Sequence, residues 1–376
     1  MTILYLGLDT VDYGCQSRSH ECYVAETFAN LGHDVIFVVE RMPNYSEGEK
    51  PENLTIEVLP VNEKSFTDEE NDRVLKYDFD VVFASSISGL PHALYFSKMR
   101  NKKCVVQVLD VPQWRLNQNP LYPTHWRSRW VEWAKQLEEV DEIVVNVPQT
   151  TELLLELNPN LKNKNISLIF YGISCLEADK VKEQKKEDFV VWVSGIRFYK
   201  GLDIAIYAMS LLKKKIPLVV IGVGDGTEVE IKTNKGVIPI RYIDIANQTG
   251  VDVRFLGGLD DFEKFYLIKK AKLAILPDYS FSIISMFPLE AVYCGTPCIV
   301  PNIPIAKDRY EDSMIMVDNL FDTREWANRI EEVLLNIEHY TSQTFAKRNW
   351  ILENRSFRSH AEGLLKIFSQ INGDLK

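Results

Sequence analysis

The chain has 376 residues, of which 46% are hydrophobic and 26% charged, with a formal net charge of -10. That length suffices for two domains that each bury a core, and the composition excludes wholesale disorder. The acidic balance argues against a nucleic-acid binder, which needs clustered Lys and Arg, and against tight electrostatic attachment to anionic lipid.

The chain opens on Met1-Thr2-Ile3-Leu4-Tyr5-Leu6, a strand-like run without a basic leader, so no signal peptide is expected. Ile3 to Leu8 reads as a strand and His20 to Leu31 as a helix that Gly32 caps, since a left-handed cap favours glycine. Strands are then expected at Val35 to Val39, Ile56 to Leu59, Val81 to Ser85, Cys104 to Leu109, Ile143 to Val147 and Ser167 to Phe170, mostly with helices between. Near-continuous apolar strands alternating with helices imply a parallel sheet covered on both faces, a Rossmann-like half.

Asp78-Phe-Asp80 precedes a strand and reads as a turn rather than a metal ligand pair. Trp126, Trp130 and Trp133 fall on one face of a helix beside Arg127 and Arg129. Such a stripe is either core or a surface for sugar rings or peripheral membrane contact.

A charged stretch, Asp179 to Asp188, cannot bury a core and reads as a linker or solvated helix. The pattern then restarts, with strands at Phe189 to Val193, Leu218 to Gly222, Val253 to Leu256, Leu273 to Leu276 and Cys298 to Val300, and a final helix at Arg358 to Ile371. Two such α/β units in series place a ligand in the cleft between the carboxyl ends of their strands. Gly222-Val-Gly224-Asp-Gly226 follows a strand but lacks the second half of a dinucleotide fingerprint, so it reads as a tight turn.

Two segments carry chemistry. Ser194-Gly195-Ile196-Arg197-Phe198-Tyr199-Lys200-Gly201 lies at a strand-to-helix turn. Gly195 is expected to make the sharp turn and Gly201 to sit where the helix begins. Arg197 and Lys200 put two cations beside a helix N-terminus, a diphosphate-sized anion site; the alternative is a surface basic pair. Pro277 to Val300 then combines a loop containing Ser282, Ile283, Ile284 and Ser285, a helix bearing Glu290, and a Gly295-Thr296-Pro297 turn. Loop N–H groups can face phosphate oxygens, and Glu290 can accept from ribose hydroxyls; the alternative for Glu290 is a solvent-facing helix position.

Together with Pro217 to Gly224, Val253 to Gly257, Ala274 to Pro277 and Leu289-Glu290-Ala291, these segments resemble glycosyltransferase family 4 of the GT-B fold. A looser match runs through Leu31 to Val35, Asp80 to Val82, Asp141 to Val145 and Tyr171-Gly172-Ile173. The resemblance implies two Rossmann-like doubly wound domains facing across a cleft. An acceptor-binding domain would span 1–175 and a nucleotide-sugar-binding domain 188–355, with a helix at 356–376 returning to the first domain.

It also implies hexose transfer from a nucleoside-diphosphate sugar, with retention of configuration, to a saccharide, lipid-linked or protein-glycan acceptor. No cofactor and no metal are required. Arg197 and Lys200 would hold the diphosphate and Glu290 the ribose. Gly14, Arg18 and His20 fall where the family's first loop meets donor and acceptor, and Asp110 is the candidate base or acceptor ligand. In two places the chain departs from the family. Ser282, or Phe281, stands where an acidic residue is usual, and Leu109 precedes Asp110 where histidine is usual. Those departures motivate a second reading, a degenerate nucleotide-sugar-binding partner subunit without turnover. The cysteines at 15, 22, 104, 175, 294 and 298 form no Cys-x-x-Cys pair and suit a reducing, cytoplasmic setting.

Overall fold

Apolar runs dictate where the strands lie. In a computed structural model, residues 1–8, 19–43, 45, 48, 50–59, 66–109, 124–222, 228–233, 236–279 and 285–373 are described, with backbone alone at 124–129, 198, 228–233 and 236–240. The first unit contains β1 (Thr2–Gly7), α1 (His20–Asn30), β2 (Asp34–Val39), β3 (Leu54–Val58), α2 (Asp68–Leu75), β4 (Val81–Ala84), α3 (Leu90–Arg100), β5 (Lys103–Val108), α4 (Thr124–Gln136), β6 (Glu142–Val145), α5 (Pro148–Leu157) and β7 (Ile166–Leu168); α6 (Cys175–Lys180) follows and packs into the core of the second.

The second unit continues with β8 (Glu187–Val193), α7 (Leu202–Ser210), β9 (Leu218–Ile221), β10 (Glu228–Thr233), β11 (Gly236–Arg241), α8 (Tyr242–Thr249), β12 (Val253–Phe255), α9 (Asp261–Lys270), β13 (Ala271–Ile275), α10 (Phe287–Tyr293), β14 (Cys298–Pro301), α11 (Pro304–Tyr310) and β15 (Ile315–Val317). Helices α12 (Thr323–Leu335), α13 (Ile337–Ala346) and α14 (Arg348–Asn354) complete it, and α15 (Phe357–Asn372) returns to the first unit.

Among the described residues the first sheet runs β3-β2-β1-β4-β5-β6-β7 and the second β12-β9-β8-β13-β14-β15. Every pairing within these two sheets is parallel. Each order reverses once, between β1 and β4 and between β8 and β13, and ligands in such sheets bind outside the strand ends at that switch point. The loops after β8 and β13 therefore meet there, and these loops carry the two chemical segments.

The expected strands are present within a residue or two. The β10–β11 hairpin, paired antiparallel from Glu228↔Arg241 to Thr233↔Gly236, was not anticipated. Its first strand alternates polar and apolar at period two and its second contains Pro239, weaker signals than the continuous apolar runs of the parallel strands.

Two parts of the chain are tied down more firmly than their composition suggests. The charged stretch after α6 is strapped to the second unit: Lys186 Nζ donates to Thr296 Oγ1 at 2.5 Å, and Lys269 Nζ to the Val181 carbonyl at 2.6 Å. Burial lowers the Lys186 ammonium to about 8. Helix α15 packs on the first sheet, where Phe368 meets Phe28 and Phe83 at ring-centroid distances of 5.8 and 5.5 Å. The chain crosses between the units twice at one place. Ile173 N donates to the Arg355 carbonyl at 2.8 Å, and Phe357 N to the Ile173 carbonyl at 3.1 Å.

The tryptophan stripe is resolved toward the core. Trp130 is buried, and Trp133 packs edge-on against it at 5.5 Å. Trp130 is thereby lost to any surface, Trp133 is half-buried, and the Trp126 side chain lies outside the described residues.

Candidate functional site

The loop after β8 is shaped by two glycines, and Gly195 is not one of them. A Cβ on Gly195 would meet nothing within 4 Å, and its φ is not positive. The constraint falls instead on Gly222, where a Cβ would lie 2.2 Å from the Ser194 carbonyl, and on Gly201. Gly201 has φ 66° as the N-cap of α7, and a Cβ there would lie 2.2 Å from the Pro277 carbonyl. The β8 and β13 loops thus touch backbone to backbone, helped by Tyr279 N donating to the Tyr199 carbonyl at 2.9 Å. Gly201→Ala is expected to lower stability by about 2–4 kcal/mol, combining left-handed strain with overpacking. A fall in the urea midpoint at unchanged slope would register it; an unshifted midpoint would contradict the close approach.

The two cations predicted for the diphosphate differ in setting. Arg197 is exposed, its Nη1 3.3 Å from its neighbour's carbonyl at Ile196. Lys200 is buried and ion-paired: its Nζ lies 2.5 Å from Asp278 Oδ2, with side chains 8% and 11% exposed. Asp278 went unnoticed in the sequence, because nothing local marks two residues 78 apart as partners. Lys200 is therefore a cation already neutralised, held beside the helix N-terminus where an anion would sit.

Glu290 lies in α10, every residue of which is buried. It is 5% exposed, which rules out the solvent-facing alternative. Its Oε1 accepts from Lys264 Nζ at 3.1 Å, and Lys264 also reaches Asp261 Oδ1 at 2.9 Å. Both partners lie on or against α9, which begins with a capping box between Asp260 and Glu263. Burial works against charge on Lys264, but Glu290 and then Asp261 outweigh it and hold the ammonium protonated. The second Asp261 oxygen accepts from the Tyr23 hydroxyl of α1, so the network crosses from one unit to the other.

His20 opens α1 behind its Ser19 cap and is exposed, with its ring 6.0 Å from both Tyr171 and Phe357. The Ser285 carbonyl accepts from the Tyr310 hydroxyl at 2.7 Å. Gly14, Arg18, Asp110, Ser282, Ile283 and Ile284 lie outside the described residues. Just before Asp110, Gln107 near the end of β5 is fully buried, and neither amide atom has a partner among the described residues. Sequence reasoning passed over Gln107, Lys264, Asp261 and Tyr23. Only the i,i+3 spacing of Asp261 and Lys264 was a readable signal.

Residues 176–350 match the family model of glycosyl transferases group 1. No curated protein sequence matches the chain significantly. Among solved structures it is similar to sucrose-phosphate synthase from Thermosynechococcus elongatus, with TM-score 0.73 and 15% identity over all of both chains. Anabaena HepE, solved with UDP and glucose, superposes with TM-score 0.73 and 12% identity, covering 98% of this chain and all of that one. A glycosyltransferase from Rickettsia africae gives 0.71 and 16%, covering 98% of each chain. No helix among the described residues is long and apolar enough to cross a membrane. The whole chain therefore has the two-domain GT-B fold, and its second domain matches the group 1 glycosyl transferases.

Proposed function

We propose that this protein is a glycosyltransferase of the family 4 type, transferring a hexose from a nucleoside-diphosphate sugar, with retention, to a carbohydrate or glycolipid acceptor. The observation that carries this reading is the meeting of Arg197, Lys200 and the N-terminus of α7 with the β13 loop at the switch point of the second sheet. As the glycosidic bond breaks, negative charge grows on the diphosphate, and an exposed guanidinium beside helix N–H groups stabilises it. Glu290, oriented by Lys264, would accept from the ribose hydroxyls. Gln107, with both amide atoms unpartnered, would meet sugar or acceptor hydroxyls from the first domain.

A second reading, a nucleotide-sugar-binding partner subunit without turnover, is favoured by one observation: Lys200 is neutralised by Asp278. A thermal-shift screen with nucleoside diphosphates and their sugars separates the two when paired with an assay for sugar transfer. UDP and UDP-glucose come first, because Anabaena HepE was solved with both. Stabilisation of about 2.7 kcal/mol is expected at a hundredfold excess over the dissociation constant. Arg197→Ala should weaken that binding by about 1.5–3 kcal/mol, the range for a hydrogen bond to a charged group. Binding with transfer supports the enzyme, and binding without transfer the partner subunit. No nucleotide response at all would sink both.

A further inference from the structure

Arg309, in the last turn of α11, is 1% exposed, and its Nε, Nη1 and Nη2 have no acceptor among the described residues. It is fixed where the two domains join. Its carbonyl accepts from Arg355 Nε at 3.1 Å, beside the crossing formed by Ile173, Arg355 and Phe357. The adjacent Asp308 reaches the first domain, accepting from Gln149 Nε2 at 2.6 Å.

The Tyr171 and His360 rings lie 4.9 Å apart, and Arg355, which donates to the Arg309 carbonyl, stacks 3.9 Å over the ring of Phe170, whose carbonyl contacts His360. The Tyr171 hydroxyl and His360 Nε2 are likewise buried without partners among the described residues. His360 Nδ1 lies 3.0 Å from the Phe170 carbonyl, so the ring donates there and presents a lone pair at Nε2. Burial keeps the imidazole neutral, lowering it to about 4.

Leaving three guanidinium donors dry is costly, because a buried charge without an acceptor forfeits its hydration with nothing in return. Burial lowers Arg309 only to about 9, so it stays charged at neutral pH. Arg355 cannot compensate it, being a second cation that pairs with Glu311 at 3.0 Å. The vacant valences have a definite pattern of guanidinium and phenol donors beside one imidazole acceptor. Tetrahedral oxyanions fit it, and a protonated one fits best.

We propose that Arg309, Tyr171 and His360 form a buried phosphate site at the domain junction. Anionic oxygens would take the guanidinium and the Tyr171 hydroxyl, and the P–OH would donate to His360 Nε2. Inorganic phosphate keeps one P–OH at pH 7, whereas sulfate has none. A phosphate monoester, with its second pKa near 6, is mostly without one too. Because the groups come from both domains, the bound ion favours the joined arrangement.

The test is thermal unfolding of the full chain at pH 7.5 in phosphate, sulfate or chloride at matched ionic strength. Above its dissociation constant, phosphate should raise the midpoint with the logarithm of its concentration, by roughly 2–5 °C per tenfold increase, and more than sulfate does. Arg309→Met should abolish the response, and Tyr171→Phe should weaken it roughly tenfold. If Arg309→Met does not fold, Arg309→Lys and Tyr171→Phe carry the same comparison through displaced phosphate midpoints. Glucose 6-phosphate distinguishes the source of the ligand. A response to inorganic phosphate alone, or to glucose 6-phosphate only at higher concentration, marks the free ion and fits the P–OH contact; an Arg309-dependent response to glucose 6-phosphate at lower concentration would mark a substrate's phosphoryl group and overturn the His360 contact. A phosphate response that survives in Arg309→Met, or a wild-type response no larger than that to chloride, would overturn the proposal.

Discussion

Lys200→Met should destabilise the protein by about 3–5 kcal/mol, because it strands the Asp278 carboxylate in a buried site. Most crystallographic ion pairs lie on the surface and contribute little when broken; this one is nine-tenths out of water on both sides. The double variant Lys200→Met, Asp278→Leu removes both charges together and should recover most of the loss, since a buried pair replaced by apolar groups is often neutral.

Arg197→Ala makes the contrast. Its side chain is exposed, so stability should change by no more than about 0.5 kcal/mol while nucleotide binding falls. Urea unfolding of the three variants beside nucleotide titrations reads both quantities. A Lys200→Met protein as stable as wild type would mean that water reaches the pair and the ammonium is free to turn toward phosphate. A stable double variant that still binds nucleotide would leave Arg197 and the helix N-terminus as the donor's anion site.

Lys264→Met should have a comparable effect with a distinctive pH dependence. The ammonium sits between Asp261 and Glu290, whose side chains are 13% and 7% exposed. Removing it leaves two buried carboxylates facing each other, at a cost of about 3–5 kcal/mol near pH 7. In the wild type, burial opposes ionisation of Asp261, but Lys264 and the Tyr23 hydroxyl hold its carboxyl below the usual range.

The sign of the pH effect follows from those shifts. A depressed carboxyl contributes stability that is present above the unfolded value, about 3.9, and lost as pH falls below it. In the variant, both carboxyls have folded-state values raised by burial and mutual repulsion. Their contribution is therefore lost as pH rises and regained on acidification. The stability gap between wild type and variant should be widest near pH 7 and narrow toward pH 4. A gap of constant size across that range would mean that solvent already screens the cluster. Tyr23→Phe, which removes one of the groups that hold the Asp261 carboxyl down, should keep the gap widest near pH 7 while shifting its acid limb upward in pH.

Much of the architecture is legible because it is local. Val81 to Ala84 and Leu218 to Ile221 are continuous apolar runs that only a strand covered on both faces can bury. Gly201 and Gly295 hold positive φ at helix ends, where the chain needs a residue without Cβ. The basic turn carrying Arg197 and Lys200 could be placed beside the β13 loop because strand-to-helix turns of a doubly wound sheet converge at its switch point. Gly195 misled for the same local reason: a glycine in a turn suggests a bend, while the close approach is made by Gly222 from the neighbouring strand.

By itself the sequence determined the two parallel sheets and the position of the basic turn, since periodicity and turn chemistry act over a few residues. Tertiary structure alone decided the state of the charges. Lys200 meets Asp278 across 78 residues, Lys264 meets Glu290 across 26, and Tyr23 meets Asp261 across 238. It likewise decided that Arg309 would be buried with its donors unpaired. Whether a side chain is a free cation, a neutralised one or an orphan depends on the water removed around it and on which groups replace that water. Those are properties of the packed chain, and no short stretch of residues encodes them.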